Sequence, residues 1–155
     1  MNRGYEIRLQ RQSGTRLAVV RRQARPAELS RLVPQCCGLV WEALRAQGVK
    51  GGRHVAVYRD DTIRVDIGVE IAVPFVEQGE LVRAETPPGD VATVTHFGPY
   101  GTLHAAHAAI RAWCEVAGRK LAGPSWEIYG HWQPEWDQDP SKIRTDVCYL
   151  LTDGG

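Results

Sequence analysis

The stretch from Ser125 to Trp132, SWEIYGHW, places one carboxylate, Glu127, among bulky aromatic residues. Read as a strand, it puts Ser125, Glu127, Tyr129 and His131 on one face and Trp126, Ile128, Gly130 and Trp132 on the other. If the first face is outward, Glu127 is simply solvated. If it is inward, a carboxylate without a partner stands in an apolar wall, desolvation raises its pKa, and a ligand cation restores the charged form. Apolar walls with few placed polar groups are what a small-molecule pocket requires. At about 4 Å and an effective dielectric near 20, the attraction for a cation is about 4 kcal/mol before desolvation. Each aromatic face beneath a cation adds roughly 0.5 to 2 kcal/mol.

Other chemistry finds little support. His104 and His107 stand at i, i+3 with no third ligand placed beside them, and are read as a helix-surface pair, so no metal is expected. Cys36, Cys37, Cys114 and Cys148 form no C-x-x-C pair and sit in apolar patterns, as buried, reduced thiols do. The sequence has no G-x-S-x-G elbow, P-loop or dinucleotide fingerprint, and no cofactor is expected.

The elements that must hold Glu127 come in two similar sets. YEIRLQ and TRLAVVRR read as strands separated by a hairpin turn or bend at Ser13-Gly14. Pro26 opens a helix with Leu29, Leu32, Val33, Cys36, Val40 and Leu44 at helical spacing, ending near Gly48. HVAVYRDD and TIRVDIGVEIAVPF follow as strands across a polar turn at Asp60-Asp61. The order then recurs: GELVRAET and GDVATVTHF, a helix from Pro99 or Tyr100 to Gly118 with core face Leu103, Ala106, Ile110, Trp113 and Ala117, then SWEIYGHW and KIRTDVCYLLT.

The match between the halves reaches single residues. Ala18-Val19-Val20 corresponds to Ala92-Thr93-Val94, Leu29 to Leu103, Val57-Tyr58 to Ile128-Tyr129, and TIRVDI to KIRTDV. This predicts an internal duplication. The expected fold is α+β: two pseudo-symmetric β-α-β-β repeats, about 5–75 and 79–152 of a single domain spanning 1–155, forming an antiparallel sheet with two main helices on one side and a ligand cleft between the repeats. Glu127 takes the place of Ala56 in the first copy, so the strand itself does not need a carboxylate there. Tyr58, in contrast, repeats Tyr129.

With 155 residues and 43% hydrophobic content, one globular domain is expected. Neither a membrane span nor a secretory leader is visible, so a cytoplasmic location is expected. The net charge of +1 conceals eight arginines against two acids in residues 1–31, a local +6 that leaves −5 elsewhere. The aromatics lie with the acids, where nucleic-acid binding would interleave them with bases. The basic segment reads as a solvated face or as a contact for an acidic protein partner.

HFGPYGTL at 96–103, WEIY at 126–129 and a D-x-D-P turn at 137–140 before KIRTDVCYLL, set in the duplicated order, resemble the GyrI-like family over essentially the whole chain. Its members occur alone or fused to AraC-type and MerR-type regulators that sense multiple drugs. The resemblance implies an inter-repeat cleft in which Glu127 contacts a cationic aromatic ligand and tyrosines stack on it. Glu127 and Tyr129 lie in the matching motif, the repeat adds Tyr58, and Trp41, Phe97, Tyr100 and Tyr149 are further pocket candidates. The longer, tryptophan-rich turn after the E-x-Y strand is a departure, with Trp132 and Trp136 as either a lid over the cleft or a cover for the sheet edge. No helix-turn-helix accompanies the domain, so direct DNA binding is not expected. The resemblance also implies two alternatives: hydrolysis of cyclopropane-bearing electrophiles, with Glu127 as base or stabiliser and Tyr129 as proton donor, and contact with a protein partner, a regulator or gyrase.

Overall fold

The computed structural model describes residues 5–59 and 64–152, which leaves the expected turn at Asp60-Asp61 outside the described residues. Strands β1 (Arg8–Gln12) and β2 (Arg16–Gln23) lead to helix α1 (Leu29–Ala46), then to β3 (His54–Tyr58) and β4 (Arg64–Glu70). The second set is β5 (Leu81–Glu85), β6 (Gly89–Phe97), α2 (His104–Ala117), β7 (Leu121–Tyr129) and β8 (Arg144–Leu151). Cys36, Val40 and Leu44 bury one stripe of α1, as Ala106, Ile110 and Cys114 do on α2. Gly118 ends α2 at φ 68°, a left-handed conformation that spares glycine the steric cost a Cβ would bring. Among the described residues no helix is long and apolar enough to cross a membrane.

All eight strands join one antiparallel sheet in the order β1-β6-β8-β7-β3-β4-β2-β5. Exchanging each first-half strand for its second-half counterpart reverses this order and leaves the sheet unchanged. The leading strands are swapped: β1 pairs with β6, and β5 with β2. Ser13-Gly14 is therefore a bend between strands that pair elsewhere, not a hairpin. The registers obey the same symmetry. Val20 faces Ile67 as Val94 faces Val147, and at the centre Ala56 of β3 faces its own counterpart Glu127 of β7. The pseudo-twofold axis passes through that pair.

Both helices cover one face of the sheet. Under α1 lie Ala18, Val20, Ala56 and Ile67; under α2 lie Ala92, Val94, Val147 and Tyr149. Neither α1 nor α2 covers the other face, yet Leu17, Val19, Val55, Val57, Val91, Trp126 and Cys148 are buried there as one cluster. The sheet covers this face itself by curling. Only residues 13–15 join β1, at one margin, to β2 beside the other, a reach of about 14 Å at most, so the margins must converge. Close approach of β4 and β2 is part of the curl, since a Cβ on Gly68 would stand 1.8 Å from the Ala18 carbonyl oxygen.

At the β5 margin four outward backbone groups are engaged. Leu81 exchanges hydrogen bonds with Gln78, the Arg83 N–H donates to the Glu77 carboxylate at 2.9 Å, and the Glu85 carbonyl accepts from the Arg59 guanidinium at 2.8 Å.

Candidate functional site

Trp126 packs into the far-face cluster and Tyr129 into the α1 cluster, so alternation along β7 turns Glu127 towards the helices. There it is 8% exposed. Standing on the pseudo-twofold axis, its carboxylate is within reach of side chains from both repeats. Oε1 accepts hydrogen bonds from the Tyr129 hydroxyl at 2.6 Å and the Tyr58 hydroxyl at 3.3 Å. Oε2 lies 2.6 Å from His107 Nε2. Nδ1 of the same imidazole is 2.7 Å from the Tyr149 hydroxyl, whose oxygen accepts from the Arg111 guanidinium at 3.0 Å. With Nε2–H donating to the carboxylate, Nδ1 accepts from Tyr149 when the ring is neutral and donates to it when the ring is charged. The ring of Tyr100, just before α2, meets Tyr129 edge-on at 5.7 Å.

Burial acts to raise the Glu127 pKa, but donation from His107 and its charge, then from Tyr129 and Tyr58, outweighs it and holds the carboxyl below its ordinary value. This corrects the expectation of a partnerless carboxylate with a raised pKa. Burial, with the nearby Glu127 charge adding to it, pushes the Tyr58 and Tyr129 hydroxyls up. Burial likewise raises Tyr100 and Tyr149, and pushes the Cys37 thiol, beside Tyr100, up to about 12. The site is one ionised carboxylate in a ring of neutral phenols, with one imidazole against it.

The other candidates fall into two groups. Tyr58, Tyr129, Tyr149 and Tyr100 join the network directly or through ring contact. Trp41 is 53% exposed on α1, one turn beyond Cys37, at the flank. Phe97 requires a correction: it pairs with Arg144 and alternates with Val91 and Thr93 onto the face away from the helices, where it cannot line this site. Trp132 and Trp136 stack on each other edge-on at 5.3 Å, with Trp136 buried and the Trp132 indole donating to Asp137. Neither tryptophan bonds or stacks with the Glu127 network among the described residues.

His107 corrects a second expectation. Read as half of a surface pair, it is instead a direct partner of Glu127 at 2.6 Å, while His104 is the exposed one. The signal lay in the spacing. His107 follows Leu103 by one turn, and Arg111 follows His107 by another, so both flank the apolar stripe. The repeat equivalences place Val33, Cys37, Val69 and Ala56 where the second half has His107, Arg111, Tyr149 and Glu127. The polar set is therefore an addition to one copy of the scaffold.

The N-terminal arginines are partly consumed within the chain. Arg11 pairs with Asp90 at 3.0 Å, Arg21 with Asp66 at 3.3 Å and Arg22 with Glu80 at 2.7 Å. Cavities of about 420 and 510 Å³ lie elsewhere, the first beside Ile71 and Phe75, the second among Arg21, Arg59 and Asp66. At Glu127 the histidine and tyrosine side chains themselves surround the carboxylate.

A family model described as a GyrI-like small molecule binding domain matches residues 5–151. The chain belongs to the GyrI-like family. No curated protein sequence matches it. Among solved structures, this GyrI-like domain resembles the C-terminal domain of EcmrR, with TM-score 0.77 and 20% identity over 96% of this chain and 98% of that one. It spans only 57% of the EcmrR chain seen in a complex with DNA, at TM-score 0.75 and 21% identity over 95% of this chain. SAV2435 bound to tetraphenylphosphonium matches with TM-score 0.68 and 7% identity, over 96% of this chain and 94% of that one. A hydrolase from Listeria innocua matches with TM-score 0.62 and 10% identity, over 95% and 92%. At these identities the likenesses establish the shared fold.

Proposed function

We propose that this GyrI-like domain binds a lipophilic aromatic cation against Glu127, in the service of sensing or sequestering such compounds. The observation that carries the reading is the single carboxylate, held ionised on the axis between the repeats and surrounded by phenol rings. Tyr58 and Tyr129 approach it from opposite repeats, as two walls around one charge would. The bound tetraphenylphosphonium of the similarly folded SAV2435 is a ligand of this chemical class. Attraction of about 4 kcal/mol at 4 Å and a dielectric near 20 is enough to prefer a cation over a neutral molecule of the same shape.

Tryptophan fluorescence tests this, because the chain has five tryptophans. Tetraphenylphosphonium is titrated into the wild type and Glu127→Gln alongside neutral triphenylphosphine oxide. The expected outcome is cation binding that the substitution weakens about tenfold or more, with the neutral compound unaffected. Equal binding of the cation by both proteins would remove Glu127 from the role.

A second reading, hydrolysis of a strained cyclopropane, is favoured by carboxylate, imidazole and phenol standing within hydrogen-bond distance of one another, an acid–base set. Glu127, held ionised, would act there as base or stabiliser. Burial makes the Tyr129 proton harder to remove, which weakens it as an acid. Turnover of a cyclopropane-bearing electrophile that vanishes in Glu127→Gln would promote this reading over the first.

A further inference from the structure

We infer that His107 is the site's internal counter-ion, which an incoming ligand cation replaces at Glu127, so that binding is coupled to release of the imidazole proton. The inference rests on the reading of Glu127 as a cation site and adds a specificity-determining residue to it. Its basis is geometric. Nε2 of His107 occupies Oε2 at 2.6 Å, while Oε1 is taken by two tyrosine hydroxyls. Of these three partners only the imidazole can itself be a cation. A ligand charge and an imidazolium beside one buried carboxylate repel each other, and deprotonation of the ring relieves that repulsion at little cost in geometry. The neutral ring retains Tyr149 as a hydrogen-bond donor to Nδ1, 2.7 Å away, so it keeps an anchor after losing its proton.

The groups facing the pair leave His107 as the proton source. From β7 come Glu127 and Tyr129, from β3 Tyr58, from β8 Tyr149, from α2 Arg111, and from α1 Cys37 beside Tyr100. The tyrosines and Cys37 are pushed upward and stay neutral, and a guanidinium gives up no proton in a protein. Arg111 also bears on selectivity. It donates to the Tyr149 hydroxyl at 3.0 Å, so a ligand cation entering at Glu127 meets a second positive group behind the imidazole. In the first repeat Val33 and Cys37 stand for His107 and Arg111, so the helix itself requires neither.

Isothermal calorimetry with tetraphenylphosphonium decides the matter, since that ion carries no dissociable proton. Affinity is measured across about pH 5 to 8, and heats are compared at about pH 6.5 in phosphate and in Bis-Tris, which both buffer there and differ in ionisation enthalpy. For the wild type we expect a buffer-dependent heat that reports proton release, and an affinity that falls on the acid side towards about tenfold per pH unit. His107→Gln should bind with no buffer-dependent heat and a flat pH profile, whereas His104→Gln on the exposed side should behave as wild type. Should His107→Gln not fold, the wild-type heats in the two buffers still decide. Cation binding with no proton release overturns this inference alone and leaves the Glu127 reading standing. No binding of the cation at any pH overturns both.

Discussion

Glu127 is charged where water is scarce, and the cost of that, several kcal/mol for an isolated ion, is offset by its three donors. The donors are unequal. Tyr129→Phe removes a 2.6 Å hydrogen bond to a charged acceptor and should destabilise the fold by about 1.5 to 3 kcal/mol, while Tyr58→Phe, at 3.3 Å, should cost about 1 kcal/mol or less. Urea midpoints of the two variants rank them. The carboxyl also sets a pH dependence. Its folded pKa lies below the unfolded value of about 4.3, so its contribution to stability is complete above that pH and is lost as pH falls through the folded value. Glu127→Gln should flatten the stability profile as pH falls below the unfolded value, and an unchanged acid limb would show that the charge contributes nothing. At this scale Glu127 was legible because the repeat supplied Ala56 for comparison. His107 was not, because two histidines three apart draw attention to metal chemistry rather than to the one-turn relation with Leu103.

Helices and strands were read from periodicity, and α1, α2 and most strand positions follow it. Period assigns a residue to a face; it is silent on which strand pairs with which. Hence β1 and β2 looked like neighbours when each pairs across the repeats, and Phe97 looked like a wall of the cleft when alternation through β6 sends it to the opposite face. Gly68 shows how pairing constrains a strand beyond its pattern. It sits among Val65, Ile67 and Val69 as an unremarkable gap, yet any Cβ there meets the backbone of β2. Gly68→Ala should therefore cost about 3 kcal/mol or more, because backbone rather than a pliable side chain must give way. A urea midpoint within experimental error of wild type would mean that β2 and β4 can separate without loss.

The swap of leading strands makes the repeats interdependent. Residues 5–75 alone would lack the partner of β1 and expose β3, and 79–152 alone would lack the partner of β5. Either half expressed by itself should show no cooperative unfolding, and the whole chain a single transition with coincident fluorescence and circular dichroism curves. A folded half would separate the duplication seen in the registers from the unit that folds. The two margins of the sheet differ in one further respect. An endless ribbon of molecules joined edge to edge needs two open margins on each, one to accept a neighbour and one to pass the pattern on. Here Gln78, Glu77 and Arg59 already occupy outward groups on the β5 side, so one of the two margins is obstructed whatever meets the other. Strand addition cannot propagate past a margin so occupied, and the curled sheet carries its own chain terminator against fibre formation.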